Sequence, residues 1–366
     1  MSDATTTNLT LAYYPGCSQT GTAAEYDRSS RACCAALGVG LVDVPDWSCC
    51  GSTPAHTVDH HLAGALAARN LIQAELTGHD RVATPCPSCL AALRTASHHL
   101  AEDSHPNGAA QNNASPGDAD PNSRTRPSFR SQVERLLDRP APLRSVAVSV
   151  LQVLVEDVGV EAIAAAVKHP LTGLRVAPYY GCIMNRPPGL MAFDDPENPT
   201  ALDRVLTACG ATVVDFPFKT ECCGAAFAMP RLDIMQRLSA RLLDMAASCG
   251  ADAIAVACPL CQMNLDLRRG QVNAFSLGQG GIGHAMPVPY FTQLLGLALG
   301  LPESGLGLDK LVLDLRPALA AAAERTAEAQ KLSAQAAQAQ KSAKANGKNG
   351  TGHGPKPGCK ENTPCA

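Results

Sequence analysis

Five cysteines, used twice in the same order, constrain this chain more than any other feature. Cys49-Cys50-Gly51 recurs as Cys222-Cys223-Gly224. A lone cysteine precedes each, Cys17 or Cys182, and a Cys-Pro-x-Cys follows each, Cys86/Cys89 or Cys258/Cys261. Neighbouring cysteines cannot readily close a disulfide on each other. Their thiolates can point at one metal group, and the glycine that follows lets the backbone turn tightly beside it. The numbers differ by 172 from Cys86 to Cys258 and by 173 from Cys49 to Cys222. That near-constant offset marks an internal duplication, so the chain must fold as two similar modules.

The words between the cysteines read as α/β. In the first half strands are expected at 9–14, 41–44 and 81–84, with helices at 23–37, at 58–76 and from Cys89 through His99. Cys17 and Cys86 then fall at strand carboxyl ends, where sites in such sheets lie. A helix opening at Cys89 would aim its positive end at an anionic sulfur. The same words return: 176–182 echoes 12–17, 214–217 echoes 42–45 and 252–261 echoes 80–89. Between the halves, 102–130 is rich in Asn, Ser, Pro, Gly and Asp and reads as a flexible insert. A helical pattern covers 143–167. After Cys261 come a helix-like 262–269, a Gly-rich loop, a strand at 288–291 and a packed helix at 294–301. From Ala318 the chain turns Ala/Gln/Lys/Glu-rich, then Gly/Asn/Lys-rich, an exposed helix running into a disordered tail.

Composition narrows the class. With 366 residues, 46% hydrophobic and 17% charged, the chain can bury two cores. A formal charge of −3 and 4% aromatics give no basic, aromatic-laced surface for nucleic acid. Residues 1–10 lack the regions of a secretory leader, and no apolar run spans a bilayer, so a cytoplasmic location is expected. Sixteen cysteines in that compartment are metal ligands or redox centres rather than disulfides. Soft thiolates select iron–sulfur clusters, zinc or Cu(I). Zinc in each module is the alternative at this point, but tetrahedral zinc uses four thiolates and leaves the fifth surplus.

The cysteine pattern and its flanking words resemble the CCG-domain proteins, most closely the B-type subunit of heterodisulfide reductase. The resemblance covers 8–100 and 143–316 and is strongest in the second half. It rests there on Arg186-Pro187-Pro188, Lys219-Thr220-Glu221-Cys222-Cys223-Gly224, Cys258-Pro259-Leu260-Cys261-Gln262-Met263-Asn264 and Tyr290-Phe291-Thr292-Gln293-Leu294-Leu295-Gly296. It implies an N-terminal CCG module at 8–100, a polar insert at 101–142, a C-terminal CCG module at 143–316 and a tail at 317–366. Each module is expected to be a small, mainly parallel sheet flanked by helices, with its cluster at the strand carboxyl ends. The resemblance further implies two noncubane [4Fe-4S] clusters. Cys17, Cys49, Cys50, Cys86 and Cys89 are the implied ligands of one, and Cys182, Cys222, Cys223, Cys258 and Cys261 those of the other. The implied reaction is reduction of a disulfide between the clusters, or the reverse oxidation of a dithiol or persulfide, small or protein-bound. Implied partners are the C-type iron–sulfur protein and the A-type flavoprotein of such a complex. An electron-transfer or docking role in a succinate-, glycolate- or lactate-oxidising complex is the alternative.

Other features read more plainly. Gly278-x-Gly280-x-x-Gly283 fits a dinucleotide fingerprint by letter, but no helix is expected after it, so it reads as a loop. Cys33, Cys34, Cys209 and Cys249 read as buried small hydrophobes in helices. Cys359 and Cys365 fall in the tail as free thiols, and His60-His61 and His98-His99 read as helix surface. Lys219 and Arg186, beside the second set, are candidates for binding an anionic substrate.

Overall fold

The structure, a computed structural model, describes residues 9–102, 127–141 and 144–347. Contacts divide the chain into two compact units, Met1–Ala322 and Ala323–Ala366. Both cysteine sets belong to the first. The described residues of the second are the continuation of one helix, Arg316–Gly347. Cys359 and Cys365 lie outside the described residues, as do 103–126 of the expected insert.

The first unit holds two all-parallel sheets. One has the order β2-β1-β3-β4, from β1 (Leu9–Tyr13), β2 (Val39–Asp43), β3 (Arg81–Thr84) and β4 (Val146–Ser149). The other has the order β6-β5-β7, from β5 (Arg175–Tyr179), β6 (Thr212–Val213) and β7 (Ala253–Val256). Strand β7 is buried at all four residues, flanked by β5 on one side and by the 287–290 segment on the other. Pro178 sits within β5 without breaking a ladder, because β6 ends opposite Val176.

Val146–Ser149 differs from expectation. Its apolar run continues the helical pattern of 143–167, yet it forms β4 on the edge of the first sheet, in register with β3 from Arg81↔Val146 to Thr84↔Ser149. Four β-branched or small residues cannot be told from a buried helical turn by pattern alone. Ser149 then caps the following helix, its hydroxyl accepting from Gln152 N at 2.9 Å. The first sheet therefore includes residues that the sequence assigns to the second module. The second sheet has a matching fourth member in 287–290. Ile254 N donates to Pro287 O at 3.1 Å, Val256 N donates to Pro289 O at 3.0 Å, and Val256 bridges Tyr290. Two prolines cannot donate, so the ladder stays one-sided and the expected strand at 288–291 shortens to a bridge.

Part of the expected insert is folded. Helix Phe129–Leu137 is capped by Ser128, and Val133 joins Ala65, Ala68, Leu100 and Ala141 in a small core. Phe129 lies where a Cβ on Gly64 would stand, 2.2 Å from its ring. A short apolar patch among polar residues is too sparse to read as periodic.

The largest core spans both modules, while a second, smaller one lies mainly in the first. Helix Ala24–Ala36 packs on helix Phe291–Ala298, where Ser29 Oγ and Thr292 Oγ1 are 2.7 Å apart and the Cys33 thiol donates to Thr292 O at 3.1 Å. Tyr26 stacks on Tyr290 in the same seam. Glu25, also buried there, has its carboxyl raised by burial, with Arg28 and Lys310 acting the other way. The folded state thus holds that proton more tightly than the unfolded chain. This group's stabilisation is complete below the unfolded pKa and is lost as pH rises through the folded one. Glu25→Gln is expected to show a higher urea midpoint than wild type at pH 7, the gap closing as pH falls into the carboxylate range. An unchanged gap at both pH values would refute this. Among the described residues no helix is long and apolar enough to cross a membrane.

Candidate metal centres

Each module builds its cysteine site in the same way. Pro15 and Gly16 end β1 and turn the chain to Cys17; Gly181 does the same between β5 and Cys182. Both glycines have left-handed backbone, φ 78° and 75°. A Cβ on Gly16 would stand 2.9 Å from Cys89 Sγ, and one on Gly181 3.0 Å from Cys261 Sγ. Only glycine lets this loop close over the second sulfur of Cys-Pro-x-Cys.

The Cys-Pro-x-Cys words leave β3 and β7 and open helices Pro87–Glu102 and Pro259–Gln262. The helices begin at the prolines, earlier than the start expected at Cys89. Proline suits the first helical position because its missing N–H would be unpaired there. Cys258 is therefore the N-cap, and Cys89 and Cys261 lie in the first turns, at the positive end of the helix dipole.

The Cys-Cys-Gly turns are tied to the strands by tyrosines. Tyr14 donates its hydroxyl to Ser48 O, just before Cys49, and Tyr179 donates to Glu221 O, just before Cys222, both at 2.8 Å. Buried Asn70 also holds Ser48, accepting from its N–H at 2.8 Å and donating to its carbonyl at 3.0 Å. In the second module Ser239 Oγ and Asn264 Nδ2 donate to Cys223 O at 3.0 and 3.2 Å. A tyrosine three residues before the first cysteine of each set is the available sequence signal for these tethers. Asn70 and Ser239 carry none, whereas Asn264 stands three residues after Cys261 in a word shared with the resembling family.

The sulfurs converge in the same order of depth. Cys50, Cys86 and Cys89 are buried, Cys49 is half-buried and Cys17 exposed; Cys223, Cys258 and Cys261 are buried, Cys222 half-buried and Cys182 exposed. Cys223 and Cys261 sulfurs are 3.6 Å apart. The glycine amides point at the outer sulfurs, Gly51 N at Cys49 Sγ (3.5 Å) and Gly224 N at Cys222 Sγ (3.2 Å). Within each set thiols donate to thiolates. Hydrogen bonds from Cys49 and Cys89 pull Cys50 down to about 3, while Cys49 and Cys89 are raised as the donors. Cys182 pulls Cys222 down to about 6, Cys261 lowers Cys223, and both donors rise. Each site thus stabilises anionic sulfur before any cation enters.

This donor set fits an iron–sulfur group. It supplies five thiols per site, with sulfur seated against glycine backbone. Among the described residues no three thiols lie mutually within 4.8 Å. The sulfur–sulfur edge of a tetrahedral zinc site is roughly 3.8 Å, given zinc–sulfur bonds of about 2.3 Å.

The remaining candidates take scaffold positions. Lys219 Nζ donates to Pro199 O at 2.7 Å and pairs with Asp203 at 3.1 Å. Arg186 donates to Pro196 O at 2.9 Å and pairs with Glu197 at 2.7 Å. Both hold the 194–203 loop beside the second set. Cys33, Cys34 and Cys209 are buried, whereas Cys249 is half-buried at a helix end. His98 and His99 do have a carboxylate neighbour, Glu102, 3.4 Å from each, which their helical spacing could have revealed. The 278–283 glycines follow helix Arg269–Gly278 instead of opening one.

Two duplicated parallel-sheet modules, each presenting five converging thiols at its strand ends, define a cysteine-rich redox protein. The family model for the CCG cysteine-rich domain matches twice, over 11–94 and 176–266. The chain is 32% identical over 307 residues to the 8-methylmenaquinol:fumarate reductase membrane anchor subunit of Wolinella succinogenes, covering 83% of this chain and 97% of that one. It is 28% identical over 305 residues to the B-type subunit of the ferredoxin/F420H2-dependent CoB-CoM heterodisulfide reductase of Methanosarcina acetivorans, covering 82% and 92%. A solved hypothetical protein from Helicobacter pylori shares the fold at a TM-score of 0.58 and 12% identity. That match covers 83% of this chain, which spans about half (51%) of the solved one. The chain belongs to the CCG-domain family that includes the B-type subunit of heterodisulfide reductase.

Proposed function

We propose that the chain is the iron–sulfur subunit of a heterodisulfide-reductase-like complex, reducing a disulfide or oxidising a dithiol or persulfide between two noncubane [4Fe-4S] clusters. Cys17, Cys49, Cys50, Cys86 and Cys89 would hold one, and Cys182, Cys222, Cys223, Cys258 and Cys261 the other. The observation that carries this reading is the completeness of both five-thiol sets, converging with the same order of exposure. When bound, such clusters supply the two single electrons that an S–S bond takes up or releases. The chain's own residues bind and orient. Hydrogen bonds from neighbouring thiols lower Cys50, Cys222 and Cys223, the tyrosine tethers fix the Cys-Cys-Gly turns, and the outer edges at Cys17 and Cys182 stay open to solvent. Electrons would pass through a C-type iron–sulfur protein and an A-type flavoprotein of the same complex.

A second reading draws support from the 32% likeness to a fumarate reductase subunit. In it the same sites relay electrons for a succinate- or fumarate-converting partner and act on no disulfide.

Anaerobic purification with iron, acid-labile sulfide, zinc and EPR measurements is the test. About eight irons per chain and no zinc are expected, the count for two four-iron clusters. Reduced viologen with a panel of small disulfides then separates the readings. Turnover supports the first, and eight irons without turnover on any disulfide supports the relay. Zinc alone in an anaerobic, iron-supplied preparation would sink both.

A further inference from the structure

Tyr26 and Tyr290 stack face to face in the seam between the modules, centroids 4.1 Å apart and planes within 4°. Both are fully buried. Tyr26 comes from the first-module helix Ala24–Ala36, and Tyr290 ends the segment running beside β7. The Tyr26 hydroxyl donates to Ala257 O at 3.1 Å, one residue before Cys258. The Tyr290 hydroxyl is buried with no partner.

That orphan is not a sign of loose packing. Ser29 meets Thr292, Cys33 donates to Thr292 O, and Tyr290 N donates to Gln293 Oε1 at 2.9 Å. A buried donor without an acceptor is costly to keep, and phenylalanine would fill the same space. Burial pushes both phenols well above the ordinary tyrosine range; for Tyr290 negative charge at Glu25 comes next, ahead of Cys258 and Cys86, and for Tyr26 Cys258 and Cys86 follow burial directly. Cys258 belongs to the second set and Cys86 to the first, so the hydroxyls lie within electrostatic reach of both sites.

We infer that the Tyr290 hydroxyl is a donor reserved for an anionic sulfur lying between the two cysteine sets, its ring held in place by the stack on Tyr26. The sulfur is either a cluster sulfide or that of a bound thiol. The inference rests on the two-cluster reading above.

Tyr290→Phe in the full chain tests it. Metal-free variant is expected to melt no lower than metal-free wild type, because no bond within the protein is lost. In the iron-loaded protein, a lower midpoint potential in an EPR-monitored titration identifies a cluster sulfide as the acceptor. Unchanged potentials with about tenfold weaker binding of 2-mercaptoethanol, read by EPR, identify the substrate sulfur; tenfold is the scale of one hydrogen bond to a charged acceptor. Tyr26→Phe should melt lower, having lost its bond to Ala257, without that loss of thiol affinity. A metal-free Tyr290→Phe that melts below wild type, or a loaded one that matches wild type in both potential and thiol binding, overturns the inference. If wild type itself takes up no iron, the cluster reading fails, while the melting comparison still decides whether the hydroxyl has a protein partner.

Discussion

Gly224→Ala is expected to empty the second cysteine site while leaving the first loaded, and Gly51→Ala to do the converse. Both glycines have left-handed backbone, φ 80° and 79°. That conformation costs an alanine about 1–2 kcal/mol. Space adds to the penalty. A Cβ at 224 would stand 2.8 Å from Met235 Cα and one at 51 would stand 3.0 Å from Ala63 Cα. Both neighbours are helix backbone that no side-chain rotation can clear, and overpacking of this kind costs about 1–3 kcal/mol. The turn must shift, and with it the adjacent cysteine pair and the amide aimed at the outer sulfur. Iron per chain should fall by about half, the share of one four-iron cluster. The metal-free protein should lose about 2–5 kcal/mol in urea unfolding, the sum of those two effects. Gly270 faces open space, so Gly270→Ala should keep its iron. Full iron and unchanged stability in Gly224→Ala would show that the turn does not set the site.

Cys50→Ser and Cys223→Ser, made singly, should each leave about four irons per chain, one cluster's worth; the double variant should leave none. These are the buried members of the adjacent pairs, and hydrogen bonds from neighbouring thiols lower both, favouring the thiolate. A serine hydroxyl cannot supply that soft anion. The contrast lies with cysteines outside the sets. Burial pushes Cys34 and Cys209 up to about 12, so they stay protonated. Cys209→Ala should lose stability through its small cavity and keep about eight irons, the two-cluster count. Iron loss from Cys209→Ala, or full iron in Cys223→Ser, would contradict the ligand sets.

Expected and observed elements agree where pattern carries information. Strands β1, β3 and β7 are readable because apolar words end abruptly at proline, glycine or cysteine. Val146–Ser149 misleads because four β-branched or small residues have no period, and only pairing with β3 makes them a strand. Helix Phe129–Leu137 is hidden among polar residues because its burial needs Gly64 and Leu100, distant in sequence. Glu102 beside His98 and His99 is legible at helical spacing, against the plain helix surface expected there.

The repeat of five cysteines, taken alone, determined that there are two alike modules and which thiols each offers, because covalent spacing and side-chain type are properties of the chain itself. Tertiary structure alone decided how those residues meet. It set the depth of each sulfur, the tyrosine and asparagine ties on the Cys-Cys-Gly turns, and the Tyr26–Tyr290 stack between the modules. Tyr26 and Tyr290 are brought into contact by two helices packing across the seam, and no local signal can encode a distance that exists only once both modules have folded.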